Sequence, residues 1–227
     1  MLCGNPASNG RVRILIAALL SLGVAQSASA ALITYETRPS LSGPPFLAAS
    51  DYVDHWNSLV TTDPTAPAGY CDTTLGAWTN ASNQSTCGGS AFDVFFHTSV
   101  AFYVAPGDDG LWEFRIAPDY GLGGALYLDG ALLDFDNSDL WWGGNWGAAS
   151  ELLTGSALLA SGNHLLETFG GEFCCDGPTA GQFKFGANEF EYFSADNPAD
   201  PVPEPSSLAL FALGLPALRS VRRRMRR

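Results

Sequence analysis

Basic residues are scarce through most of this chain. Positions 31–205 hold only Arg38, Arg115 and Lys184, besides three histidines, against all 23 acidic residues of the sequence. A body so charged repels polyanions, which excludes general nucleic-acid binding and disfavours anionic membrane surfaces. Long apolar runs are also missing. The two pronounced ones, 14–24 and 208–218, have 11 residues each, where a helical span needs about 20. No Cys-x-x-Cys pair occurs and His55, His97 and His164 lie far apart, so zinc-site spacing is absent. Neither a Gly-x-Ser-x-Gly elbow nor a His-Glu-x-x-His helix is found, which removes the serine-hydrolase and zinc-protease signatures.

What is there begins with two basic ends around the acidic body. The formal net charge of −12 conceals +2 over 1–30, −20 over 31–205 and +6 over 206–227. At the first end, Arg11 and Arg13 precede the apolar run 14–24, and Ala28-Ser29-Ala30 follows. That order of positive, apolar and small residues predicts a secretory signal helix, cut by signal peptidase so that the mature chain starts at Ala31.

At the other end Pro203-Glu204-Pro205 leads into 208–218, and the chain closes on Arg219, Arg222, Arg223, Arg224, Arg226 and Arg227. This resembles the PEP-CTERM sorting signal of exported bacterial proteins. The resemblance implies an exosortase-type membrane protease that cuts at or near Pro203-Glu204-Pro205 and removes the arginine tail. Physics is compatible with that role. At 1.5 Å per residue the apolar stretch covers roughly 17 Å of a hydrocarbon core of about 30 Å, and Pro216 disturbs a helix there, so it suits a transient inner-membrane anchor. An unprocessed tail anchor is the alternative. The expected organisation is a signal segment at 1–30, a domain at 31–196, a proline-rich linker carrying the motif at 197–205, and a hydrophobic helix with its arginine cluster at 206–227.

Cys3 falls in the leader, leaving Cys71, Cys87, Cys174 and Cys175. An even number in an exported domain predicts two disulfides, with three possible pairings. Adjacent cysteines fit the usual Cα separation badly, so the favoured expectation is that Cys174 and Cys175 each pair back to the loop holding Cys71 and Cys87.

The body reads as strands. In 111–117, Trp112, Phe114 and Ile116 alternate with Glu113 and Arg115, a period of two. Asp129-Gly130 between 126–128 and 131–133 is a two-residue hairpin turn. Further strands are expected at 92–104, 156–160, 165–169, 182–185 and 189–193, and one helix at 51–60, with Tyr52, Trp56 and Leu59 on one face behind a Ser50 cap. Many short strands with glycine-rich turns predict an all-β fold, a jelly-roll-like antiparallel β-sandwich with one short helix.

Residues 104–130 (VAPGDDGLWEFRIAPDYGLGGALYLDG) and Ala160-Ser161-Gly162-Asn163-His164-Leu165 resemble strands and turns of protective-antigen-type and GLEYA-type β-sandwich domains. Cys174-Cys175-Asp176-Gly177 resembles the CCXG motif of a small group of PEP-CTERM proteins. The first resemblance implies carbohydrate binding, in some members through calcium held by two consecutive aspartates. Here only Asp119 matches, because Tyr120 takes the second place.

Two local compositions suggest ligands without that resemblance. Trp141-Trp142-Gly143-Gly144-Asn145-Trp146 offers indole faces on a glycine-rich loop, suited to stacking on sugar rings; packing of Trp141, Trp142 and Trp146 into the core is the plainer alternative. Asp134, Asp136 and Asp139 are a candidate calcium loop that lacks the EF-hand glycine and terminal glutamate, with a solvated turn as the default. No cofactor is required. Glu113, Glu151, Glu167 and Glu172 supply carboxylates for a glycosidase pair, yet nothing singles out two of them. The sequence therefore predicts a non-catalytic surface or extracellular-matrix protein that contacts extracellular polysaccharide. Its rivals are a secreted carbohydrate-active hydrolase and a ligand-free structural matrix protein.

Overall fold

Strand alternation decides which side chains face inward. The computed structural model describes residues 31–40 and 46–197. Ala28, Ala30, the Pro203-Glu204-Pro205 motif and the tail arginines lie outside the described residues. Ala31 is buried against the core at the head of β1 (Leu32–Pro39).

Six strands form one antiparallel sheet. Their spatial order is β2 (Asp72–Leu75), β1, β3 (Val94–Val104), β10 (Gly162–Glu172), β6 (Gly124–Leu128) and β7 (Ala131–Asp136). A second antiparallel sheet runs β12 (Glu191–Tyr192), β11 (Ala180–Phe185), β4 (Gly110–Ala117) and β9 (Leu153–Leu159). A short pair, β5 (Asp119–Tyr120) with β8 (Leu140–Trp141), completes the described strands. From β3 onward the chain steps back and forth between the two larger sheets, as expected of a jelly-roll-like sandwich.

The main core lies between those sheets. Ile33, Tyr35, Phe96, Val100, Phe102, Leu126 and Leu166 meet Trp112, Phe114, Ile116, Leu153 and Phe183 there. Alternation in β4 works as the sequence predicts, with Trp112, Phe114 and Ile116 inside. The Asp129-Gly130 turn also forms, both residues taking positive φ (51° and 77°), as this hairpin type demands.

β3 does not alternate cleanly because both of its faces are covered. Its other face carries Phe95 against a second cluster built from α1 (Ala49–Thr62), where Tyr52 and Trp56 pack with Phe46, Ala125 and Phe169. The helix is longer than expected and starts earlier. Ser50 lies inside its first turn, so it is not the cap; the Asp51 carboxylate accepts the N–H groups of Leu47 and Ala48 at 2.8 and 2.9 Å instead, work normally done by capping side chains. No helix among the described residues is long and apolar enough to cross a membrane.

The disulfides correct the sequence expectation. Cys71 pairs with Cys87, their Cα atoms 5.4 Å apart, and Cys174 pairs with its neighbour Cys175. A left-handed backbone at Cys175 (φ 74°) turns the adjacent residues back on each other. The Cys71–Cys87 bridge spans 16 positions and ties the start of β2 to a π-helical turn, Asn83–Cys87. Replacing both cysteines with serine should cost about 3 kcal/mol, the chain-entropy value for a loop of this length. Urea unfolding of the oxidised wild type and the double variant checks that figure.

Candidate functional site

The tryptophan loop is fixed by the β5–β8 pair, in which Asp119 stands opposite Trp141 and Tyr120 opposite Leu140. Successive residues of a strand point to opposite sides. Leu140 is fully buried and Trp141 is 67% exposed. Trp142 turns inward again, 6% exposed, and packs with Ala117, Leu152 and Ala180. Trp142 is therefore a core residue and offers no face to a ligand.

Trp146 stands between these extremes. Its ring lies 5.1 Å from Trp142, its Nε1–H donates to the Tyr192 hydroxyl at 3.2 Å, and the Arg115 guanidinium sits 4.6 Å from its ring centre. Arg115 is held in place by Gln182, whose side-chain oxygen accepts from Nε at 2.8 Å. The loop backbone is braced too. Glu151 accepts the Trp141 N–H at 2.8 Å, and the Asn145 side chain accepts the Gly147 N–H at 2.9 Å. A single indole, Trp141, thus projects from an otherwise anchored loop.

Beneath β5 the chain gathers three buried carboxyl groups that sequence spacing did not connect. Asp119, Glu172 and Asp176 are all buried. Glu172 accepts the N–H groups of Gly121 at 2.6 Å and Cys174 at 2.8 Å, and Asp176 accepts the Gln84 N–H at 2.9 Å. Burial, then the charge of Glu172, pushes the Asp119 carboxyl up to about 7, although the Gly177 N–H opposes this. Burial likewise pushes Asp176 up to about 6 against hydrogen bonds from the 83–84 backbone. The Cys174–Cys175 segment connects Glu172 to Asp176. Cys174, Cys175 and Phe173 are exposed, as is Phe92, and two backbone bonds, Asp93 N–H to Phe173 O and Asp176 N–H to Ala91 O, hold the two stretches side by side.

The acids of the candidate calcium loop are engaged by neighbouring N–H and hydroxyl groups. Asp134 accepts the N–H groups of Phe135 and Thr154 at 2.9 and 2.7 Å. Asp136 accepts the N–H and hydroxyl of Ser138 at 2.7 and 2.6 Å. No group of three His, Cys, Asp or Glu side chains suited to a metal ion occurs among the described residues. The four glutamates read as possible acid and base are each engaged separately: Glu113 with Lys184 at 2.9 Å, Glu151 with Trp141, Glu167 with His97, and Glu172 as above.

Residues 201–226 match the PEP-CTERM protein-sorting motif. No curated protein matches the chain. Among solved structures, a PA14 sugar-binding domain from an RTX adhesin is 14% identical over 74% of this chain and 97% of its own, with TM-score 0.46. The epithelial adhesin 9 A domain of Candida glabrata, solved with Galβ1-4GlcNAc, is 10% identical over 75% and 90%, with TM-score 0.45. An anti-sigma factor domain-containing protein is 11% identical over 74% of this chain, with TM-score 0.46. The chain spans about half, 47%, of that last protein.

Motif and fold together define an exported, cell-surface-sorted protein whose body is an antiparallel β-sandwich.

Proposed function

We propose that this protein is a non-catalytic component of the bacterial surface or extracellular matrix, and that it contacts neutral polysaccharide through Trp141. The observation that carries the reading is the 67% exposure of that indole on a loop whose next residue, Trp142, is locked in the core. A rigid, exposed indole is the usual partner for the apolar face of a sugar ring, and anchoring lowers the entropic cost of contact. The strongly acidic body disfavours anionic partners.

In this reading signal peptidase frees Ala31. The 206–218 stretch then holds the chain briefly in the inner membrane until an exosortase-type protease cuts near Pro203-Glu204-Pro205. Calcium is an optional ligand rather than a requirement. Intact mass of the exported protein tests the processing: a product that still carries Arg219 to Arg227 overturns it. A glycan array run with and without calcium tests the binding. Trp141→Ala should reduce the signal about tenfold or more while leaving the melting curve in place. A glycan signal that survives Trp141→Ala overturns the assignment to this loop, no binding at all favours a ligand-free structural protein, and release of reducing ends favours a hydrolase.

A further inference from the structure

A second, unrelated feature lies on the opposite side of the six-stranded sheet, beneath α1. A cavity of about 270 Å³ opens there, walled by Val53, Trp56 and Asn57 of α1 and by Tyr127, Glu167 and Phe169 of the sheet. Drug-sized sites run to roughly 300–1,000 Å³, so this one admits a single small head group. His97 sits at its base, stacked on Phe169 with ring centres 4.5 Å apart and lying 5.2 Å from the Trp56 ring.

The charge at that base does not balance. His97 Nδ1 is 2.6 Å from a Glu36 oxygen, and Nε2 is 3.2 Å from a Glu167 oxygen. A neutral imidazole has one N–H and cannot satisfy two carboxylates at once; the imidazolium can. Burial opposes that charge, yet the hydrogen bonds to Glu167 and Glu36 outweigh it, and the His97 pKa is raised. One positive ring between two carboxylates leaves a net negative charge. The three side chains are only 12, 25 and 23% exposed. Asp54, whose charge is felt by the Tyr127 phenol, adds to it. Nearby Arg38 does not cancel the excess, because it is paired with Asp72 at 2.5 and 3.0 Å.

We propose that this cavity is a binding site for an organic ammonium group on a compact body, with Glu167 pairing the charge and Tyr127 presenting an aromatic face to it. Aromatic walls attract cations through the ring quadrupole, most strongly where water is excluded, and a carboxylate in excess supplies the counter-charge. The same chemistry has two sources outside a cell: the free amine of an amino sugar within a polysaccharide, and a small soluble amine. The site stands apart from the Trp141 loop, so either assignment can fail without the other.

Titration calorimetry of the mature exported protein at neutral pH tests the proposal with three probes: a glucosamine tetramer, its fully N-acetylated twin and ethanolamine. The free-amine tetramer should bind about tenfold or more tightly than the acetylated twin, the effect expected of a desolvated cation contact. Glu167→Gln should remove most of that preference. Ethanolamine binding as tightly as the tetramer identifies the small amine as the source; weaker binding identifies the sugar. Should Glu167→Gln fail to fold, Tyr127→Ala on the half-buried wall carries the test, with an expected loss of about threefold or more. Equal binding of acetylated and free tetramers, no binding of either amine, or a preference undiminished in the folded variants overturns the proposal.

Discussion

Between pH 5 and pH 8 the sandwich should lose roughly 3–6 kcal/mol of stability, taking about 1.4 kcal/mol per unit of pKa displacement and allowing for relaxation around the groups. The loss comes from beneath the tryptophan loop. Asp119, pushed up to about 7, and Asp176, pushed up to about 6, both hold protons more tightly folded than unfolded, where an aspartyl group titrates near 3.9. A carboxyl group raised in this way contributes stability that is whole below about pH 4 and is lost as pH climbs through the folded value. His97 and His164, also raised, act in the same direction. Urea unfolding at unit pH intervals should show the decline, and Asp119→Asn combined with Asp176→Asn should remove most of it, because the amide keeps the shape without the charge. A wild-type profile that is level from pH 5 to 8 would sink the account.

Trp142→Ala should destabilise the protein by about 3–5 kcal/mol, the usual cost of emptying a buried aromatic site. Trp141→Ala, one residue earlier, should change stability by no more than about 0.5 kcal/mol, as exposed substitutions do. The contrast follows from strand geometry, which buries one indole at 6% exposure and leaves the other at 67%. Thermal unfolding of the two variants under one buffer checks both halves. If Trp142→Ala melted with the wild type, the buried anchor of the loop would be lost as an explanation and the binding test on Trp141 would lose its control.

Local patterns explain which parts of the architecture could be read from sequence. The alternation in β4 and the Asp129-Gly130 turn need only neighbours, so both are legible from residues 111–133. β1 carries a similar signal, with Ile33, Tyr35 and Thr37 buried, but it adjoins the predicted cleavage point and is absent from the expected strands. Single-residue strand ends mislead in a different way. The glycine-rich run 141–146 suggests three equivalent indoles, whereas pairing with Asp119 sorts them into exposed, buried and intermediate.

Contacts between distant segments were not legible at all. Glu36, His97 and Glu167 are brought together by the neighbouring strands β1, β3 and β10, where Glu36 faces His97 in register, and no spacing rule joins residues 61 and 70 positions apart. The cysteines fail for a related reason. The general preference for well-separated partners gives way when one residue takes positive φ and its neighbour is the nearest thiol.

Asp134 has a consequence of another kind. β7 and β9 are the terminal strands of their sheets, and the Asp134 carboxylate reaches from one to accept the Thr154 N–H of the other. Gly155 beside it lets Leu133 lie so close that an added Cβ would fall 2.7 Å from the leucine. Unpaired edge donors are the template on which chains recruit one another into aggregates. The acid that looks like a metal ligand in the sequence thus occupies one of those donors and places a charge on the seam, so that at high local concentration this flank of the molecule resists strand-to-strand fusion with its neighbours.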